Sequence, residues 1–165
     1  MWSFAQKNRR ISHMIDLHSI DIWVQFSVII DASIAAILGS LIGWERDRAG
    51  KSAGPRTMAL VGSASAAVVA IGAVVGANAQ FGDPTRALHA IITGIGFLGA
   101  GLIFTDKHTT GIQGVTTAAT VFSTAAVGVA VGLGFQIAGA GLTLVILIIL
   151  RSTHVIEKSF NRGDA

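Results

Sequence analysis

Apolar residues along this chain come in long blocks, not in the alternation of a strand or the one-sided stripe of a soluble helix. Runs with almost no charge occupy residues 22–43, 57–77, 87–104 and 115–150, separated by short polar clusters. A helix crossing a bilayer needs ~20 such residues. The last run, as one helix, would be ~54 Å long at ~1.5 Å per residue, against a hydrocarbon core of ~30 Å. It is therefore predicted to form two spans, 115–134 and 137–150, broken at Gly132-Leu-Gly-Phe-Gln136, where glycine permits a tight turn. The pattern predicts an all-α polytopic membrane protein, a bundle of about five transmembrane helices. A flexible or interfacial leader, residues 1–21, precedes the bundle, and a short tail, residues 151–165, follows it.

Glycine refines the picture. The third run contains Gly94-Ile-Gly-Phe-Leu-Gly-Ala-Gly-Leu-Ile-Phe104. In water each glycine would weaken a helix by ~1 kcal/mol relative to Ala. In a membrane, small residues let helix backbones approach closely. Gly94, Gly96, Gly99 and Gly101 are accordingly expected on a helix buried among other helices. Glycines four apart recur at Gly39/Gly43, Gly72/Gly76 and Gly128/Gly132, which predicts close helix packing, within one chain or also along a homodimer seam. The same segment satisfies G-x-G-x-x-G at Gly94, Gly96 and Gly99. A dinucleotide fingerprint needs a preceding strand and an acidic residue ~20 positions on. Neither is present, so the match is a decoy.

Composition agrees with lipid. Of the 165 residues 52% are hydrophobic and 13% charged, where a soluble domain carries ~25% charged residues; the mean hydropathy is +0.66. The absence of cysteine excludes disulfides, thiolate metal sites and a cysteine nucleophile. The net charge of +3 comes from basic residues beside apolar runs, a placement that fits topology and anionic lipid, not nucleic acid. Lys7, Arg9 and Arg10 resemble the start of a signal peptide, but no compact apolar core with a cleavage site follows. With five spans, Arg46, Arg48, Lys51, Arg56, Lys107, Arg151, Lys158 and Arg162 lie on one side, against Lys7, Arg9, Arg10 and Arg86 on the other. The heavier side is predicted to be cytoplasmic, and with it the C-terminus.

Candidate chemistry is sparse. Asp31 lies inside the first run, where a carboxylate costs ~2.5–3.5 kcal/mol. It is read either as a proton or cation site, clustered with His89 and Thr93, or as a structural hydrogen bond fixing helix register. The segment 44–57 is dense in charge. A hairpin there would bring Glu45 and Arg46 near Arg56 and Thr57, with a Glu45–Arg56 pair, serving as a topological anchor or as a docking surface for protein or anionic lipid. Asp83 and Pro84 before Arg86 read as a helix N-cap and first-turn proline. Thr116, Thr117 and Thr120 open the fourth run, either packing or lining a polar crevice. No catalytic set, metal-ligand spacing or cofactor motif is evident, so no enzyme is expected.

Taken in order, several segments resemble the MgtC/SapB family of bacterial inner-membrane proteins. They are Gly39-Ser-Leu-Ile-Gly-Trp-Glu-Arg46, Ala53-Gly-Pro-Arg-Thr-Met-Ala-Leu-Val61, Asp83-Pro-Thr-Arg86, Gly94-Ile-Gly-Phe-Leu-Gly-Ala-Gly-Leu-Ile103, Gly114-Val-Thr-Thr-Ala-Ala-Thr120 and Gly128-Val-Ala-Val-Gly-Leu-Gly134. The resemblance implies four or five membrane helices, a cytoplasmic C-terminus and a part in adaptation to magnesium limitation. It implies action by modulating other membrane machinery, the F-type ATP synthase being a proposed target. Glu45, Arg46, Arg56, Thr57, Arg86 and the glycines of 94–101 would be its characteristic positions. Many members carry a cytoplasmic domain after the last span; the fifteen residues after Leu150 are too few for one, so sensing by such a domain is not expected here. Two functional expectations result: a regulatory protein acting through membrane partners, as a homodimer, or a small ion or proton transporter, possibly for magnesium, using Asp31 and His89.

Overall fold

The computed structural model describes residues 22–78, 85–105 and 111–160. Among the described residues five helices follow one another: α1 (Ile22–Arg48), α2 (Pro55–Asn78), α3 (Arg86–Leu102), α4 (Val115–Gly132) and α5 (Gln136–Phe160). Between α3 and α4 lies a two-stranded antiparallel ribbon, β1 (Phe104–Thr105) with β2 (Ile112–Gln113), pairing Phe104 with Gln113 and Thr105 with Ile112. The ribbon had no signal in the apolar pattern. The leader 1–21, the Asp83-Pro84 cap and the end of the tail from 161 lie outside the described residues. α3 begins instead with Thr85 as its N-cap.

The interior and exterior are sorted by size. Buried positions are mostly small or hydroxylated: Ala35, Ala66, Ala118, Ala125, Ser65, Thr120 and Thr124. Bulky apolar residues face outward, among them Trp23 at 75% exposure, Phe97 at 80% and Ile137 at 91%. Water would not tolerate so continuous an apolar shell, whereas lipid solvates it and leaves close packing to hold the helices together. α1, α2 and α4 are long and apolar enough to cross a membrane; α3 and the apolar part of α5, Gln136–Ser152, are each shorter. The chain is an all-α membrane protein.

α4 is the central helix. It touches each of the other four, and Thr117, Thr120, Val121, Thr124, Val127, Gly128 and Val131 are all buried along it. α1 and α2 form the most extensive pair. Backbone meets backbone at glycine: a Cβ on Gly39 would overlap the Met58 carbonyl, one on Gly43 would meet Gly54 and Pro55, and ones on Gly128 and Gly132 would overlap the Gly62 and Ala66 carbonyls. Hydroxyls within the spans return their protons to the preceding turn, as Thr120 Oγ1 does to Thr116 O (2.7 Å) and Thr124 Oγ1 to Thr120 O (2.9 Å). That satisfies them without water.

Two helix ends close in the same way. At Gly134 (φ 86°) the Phe135 amide donates to Ala130 O (2.9 Å) and the Gly134 amide to Val131 O (2.8 Å). At Gly50 (φ 68°) Lys51 donates to Arg46 O (3.0 Å) and Gly50 to Asp47 O (2.9 Å). Both are Schellman turns, whose left-handed residue is favourable only as glycine or asparagine. The first makes the break predicted near 132–136.

Two expectations need correction. The charged segment 44–57 does not leave the helix at its start: α1 continues past the apolar run to Arg48, so Trp44, Glu45, Arg46, Asp47 and Arg48 are helical. The glycines of α3 are not enclosed. Only Ile95 of that helix is buried. Cβ atoms at Gly94, Gly96 and Gly101 would meet nothing within 4 Å, and one at Gly99 only Ala118 at 3.7 Å. α3 sits at the edge of the bundle, resting on α4 and, less closely, on α2, so its far face is open.

Candidate functional site

Most of the charged residues of the described chain gather at one end, where α1 finishes, α2 starts and α3 turns through the ribbon into α4. Arg46 is the centre of this group. Its side chain is only 3% exposed, and its Nη2 donates to Thr117 Oγ1 at 2.8 Å. Thr117, 4% exposed, lies in the first turn of α4. Arg46 Nε is also buried and has no hydrogen-bond partner among the described residues. The carboxylate of the neighbouring Glu45 acts on the guanidinium through its charge. Burying a guanidinium costs several kcal/mol unless hydrogen bonds and a counter-charge offset it. Arg46 therefore locks the end of α1 to the start of α4.

A short hairpin over 44–57 predicts a Glu45–Arg56 pair. The structure does not bring them together: Arg56 and Thr57 are exposed on the first turn of α2, and Arg56 makes no ion pair among the described residues. α1 is helical through Glu45 and Arg46 to Arg48, and Arg46 turns to Thr117 of α4. Nor are Thr116 and Thr117 equivalent. Thr116 is exposed, while Thr117 is the buried acceptor for Arg46.

Asp31 and His89 are likewise not joined. Asp31 Oδ1 accepts from Gln136 Nε2 at 3.0 Å, a bond between α1 and the first residue of α5. The His89 ring nitrogen Nδ1 lies 2.9 Å from Thr85 O, within its own helix, and Thr93 Oγ1 donates to His89 O at 2.8 Å. Arg86 and His89 are exposed near the start of α3. Among the described residues no group of three or more His, Asp or Glu is placed to hold a metal. The G-x-G-x-x-G match lies in mid-helix, with no strand before it among the described residues.

A cleft of about 500 Å³, which no motif in the sequence marks, opens at the same end between α1 and α5. Leu41, Trp44, Glu45 and Arg48 of α1 line it with Ala49 just beyond, and Leu147 and Arg151 line it from α5. The Arg48 guanidinium stacks over the Trp44 ring, 4.7 Å from its centroid. The arrangement could have been found by following each helix at intervals of three and four to its terminal arginine. It places Arg48 and Arg151 on one side of the bundle, as an odd number of spans requires.

The MgtC family profile matches residues 33–159. Protein MgtC of Brucella suis is 41% identical over 115 residues, covering 70% of this chain and 46% of its own length. YhiD of Escherichia coli (strain K12) is 36% identical over 131 residues, 76% of this chain and 60% of its own. Protein SrpB of Synechococcus elongatus is 36% identical over 110 residues, 61% of this chain and 60% of its own. The chain spans about half the length of the curated relatives it matches. No solved structure matches it significantly. By the extent of the profile match and of these identities, the chain is a member of the MgtC family.

Proposed function

We propose that this chain is a non-enzymatic regulatory protein of the bacterial inner membrane. It acts through membrane partners in adaptation to low magnesium or a related stress, with the F-type ATP synthase as a candidate target. The observation that carries the reading is where the polar groups lie. Arg46 and Thr117 tie α1 to α4 at the basic end, and the charged last turn of α1 with the exposed Lys51 and Arg56 stands beside them as a docking face. The excess of basic residues at that end supports a cytoplasmic location for it and for the C-terminus. Relatives named MgtC support a connection with magnesium, as does YhiD of Escherichia coli, provisionally named a magnesium transporter. The open glycines of α3 support a homodimer, because small residues on an unoccupied helix face suit another helix better than they suit lipid chains.

The competing reading, transport of protons or cations through Asp31 and His89, has less behind it. Asp31 spends a hydrogen bond on Gln136 and is not joined to His89. The deciding experiment is complementation of a deletion strain in magnesium-poor medium. The intact chain should restore growth, and Lys51→Glu with Arg56→Glu should not, at equal membrane abundance. Ion flux in proteoliposomes that Asp31→Asn abolishes would overturn the regulatory reading in favour of transport.

A further inference from the structure

α1 and α5 run parallel. Asp31 bonds Gln136 near one end, Leu38 lies near Gly139 farther along, and Ile42 packs with Leu150 and Ile146 beyond that. The two helices then part to leave the cleft lined by Trp44, Arg48 and Arg151. Because the helices are parallel, the outward stripe of each reads in the same direction. Ile37, Leu41, Trp44 and Arg48 follow one another on α1 at intervals of four, three and four; Leu144, Leu147 and Arg151 do so on α5 at three and four. Each stripe is an apolar rail facing lipid that ends in a guanidinium.

We propose that this cleft binds an anionic phospholipid, its phosphate held between Arg48 and Arg151 and an acyl chain laid along Leu41 and Leu147. Charge complementarity selects the headgroup. Two cations line the cleft against one acid, Glu45, and the Glu45 charge also acts on Arg46. Basic pockets between membrane helices at the cytoplasmic face suit such headgroups. Trp44, half-exposed beneath the stacked Arg48, is of the type that sits at headgroup level. The apolar wall selects a lipid over a free anion: Leu41, Ala49 and Leu147 offer a phosphate ion nothing, and the rails continue outward through the exposed Ile37 and Leu144. The volume of about 500 Å³ accommodates a headgroup with the first methylenes of a chain. The inference requires only that the chain be embedded in lipid; it stands whether or not the regulatory reading does.

The test is native mass spectrometry of the full chain purified in detergent and offered phosphatidylglycerol, phosphatidylcholine or phosphatidylethanolamine in equal amounts. Phosphatidylglycerol should be retained preferentially. The double variant Arg48→Gln, Arg151→Gln should hold it about thirtyfold more weakly, at an effect of ~1 kcal/mol per arginine. Leu147→Trp, which fills the apolar wall and leaves both charges, should also weaken retention, and excess inorganic phosphate should not displace the lipid. Equal retention of the zwitterionic lipids, or undiminished binding by the double variant, overturns the proposal. Displacement by phosphate together with unchanged binding in Leu147→Trp overturns it in favour of a free-anion site. Lipid-free melting of each variant in detergent checks folding, and Leu147→Trp keeps the test decisive if the double variant does not fold.

Discussion

At the scale of single residues, Arg46 shows how a buried charge is tolerated beside a bilayer. One Thr117 hydroxyl and the nearby Glu45 charge compensate it, and its Nε stays without a hydrogen bond among the described residues. Removing the hydroxyl strands the guanidinium further. Thr117→Val should lower stability by about 1.5–3 kcal/mol, read as the unfolding midpoint in detergent, while Thr117→Ser should lose much less. An unchanged midpoint in Thr117→Val would show that the bond contributes nothing. Asp31→Asn keeps a carbonyl oxygen for Gln136 and should shift stability by less than about 1 kcal/mol, whereas Asp31→Leu should cost more. These partnerships were the least legible part of the chain. Arg46 and Thr117 are 71 positions apart, Asp31 and Gln136 are 105, and neither pair shares a motif. The sequence marks which groups are expensive in lipid but not which neighbour satisfies them. Proximity along the chain favoured Arg56 for Glu45, yet α1 runs on to Arg48 and Arg56 forms no ion pair among the described residues.

At the scale of the element, the glycines divide into two populations that composition does not distinguish. Gly39, Gly43, Gly62, Gly128 and Gly132 lie where backbones cross; a Cβ at Gly62 would stand 2.7 Å from the Ala35 carbonyl. Gly62→Ala should therefore push α1 from α2 and cost about 1–3 kcal/mol. Gly94 meets nothing within 4 Å, so Gly94→Ala should be neutral or stabilising by up to about 1 kcal/mol. Detergent melts of the two variants side by side make the comparison, and equal losses would contradict the packing described here. If α3 forms a seam between copies, Gly94→Leu should reduce dimer cross-linking without lowering the melting temperature of the single chain. The helices themselves were legible because an apolar run long enough to cross hydrocarbon must bond its own backbone. The ribbon between α3 and α4 was not, since two-residue strands carry no period to detect.

At the scale of the molecule, the parity of the fold is open to a direct test. The chain has no cysteine, so single cysteines report without background. Ala49→Cys and Ser152→Cys should both react with an impermeant maleimide from the cytoplasmic side, and Trp23→Cys from the other. Labelling of positions 49 and 152 from opposite faces would contradict the parallel course of α1 and α5. The helices also differ in reach. α3 has 17 residues, about 25 Å at ~1.5 Å per residue, and α1 has 27, about 40 Å. A bilayer ~30 Å deep adjusts to such a rim by tilting the long helix and pinching inward beside the short one. The protein thus wears a shallow waist of thinned membrane along its α3 flank, and any neighbour with an equally short rim deforms less lipid by standing in that waist than by making its own.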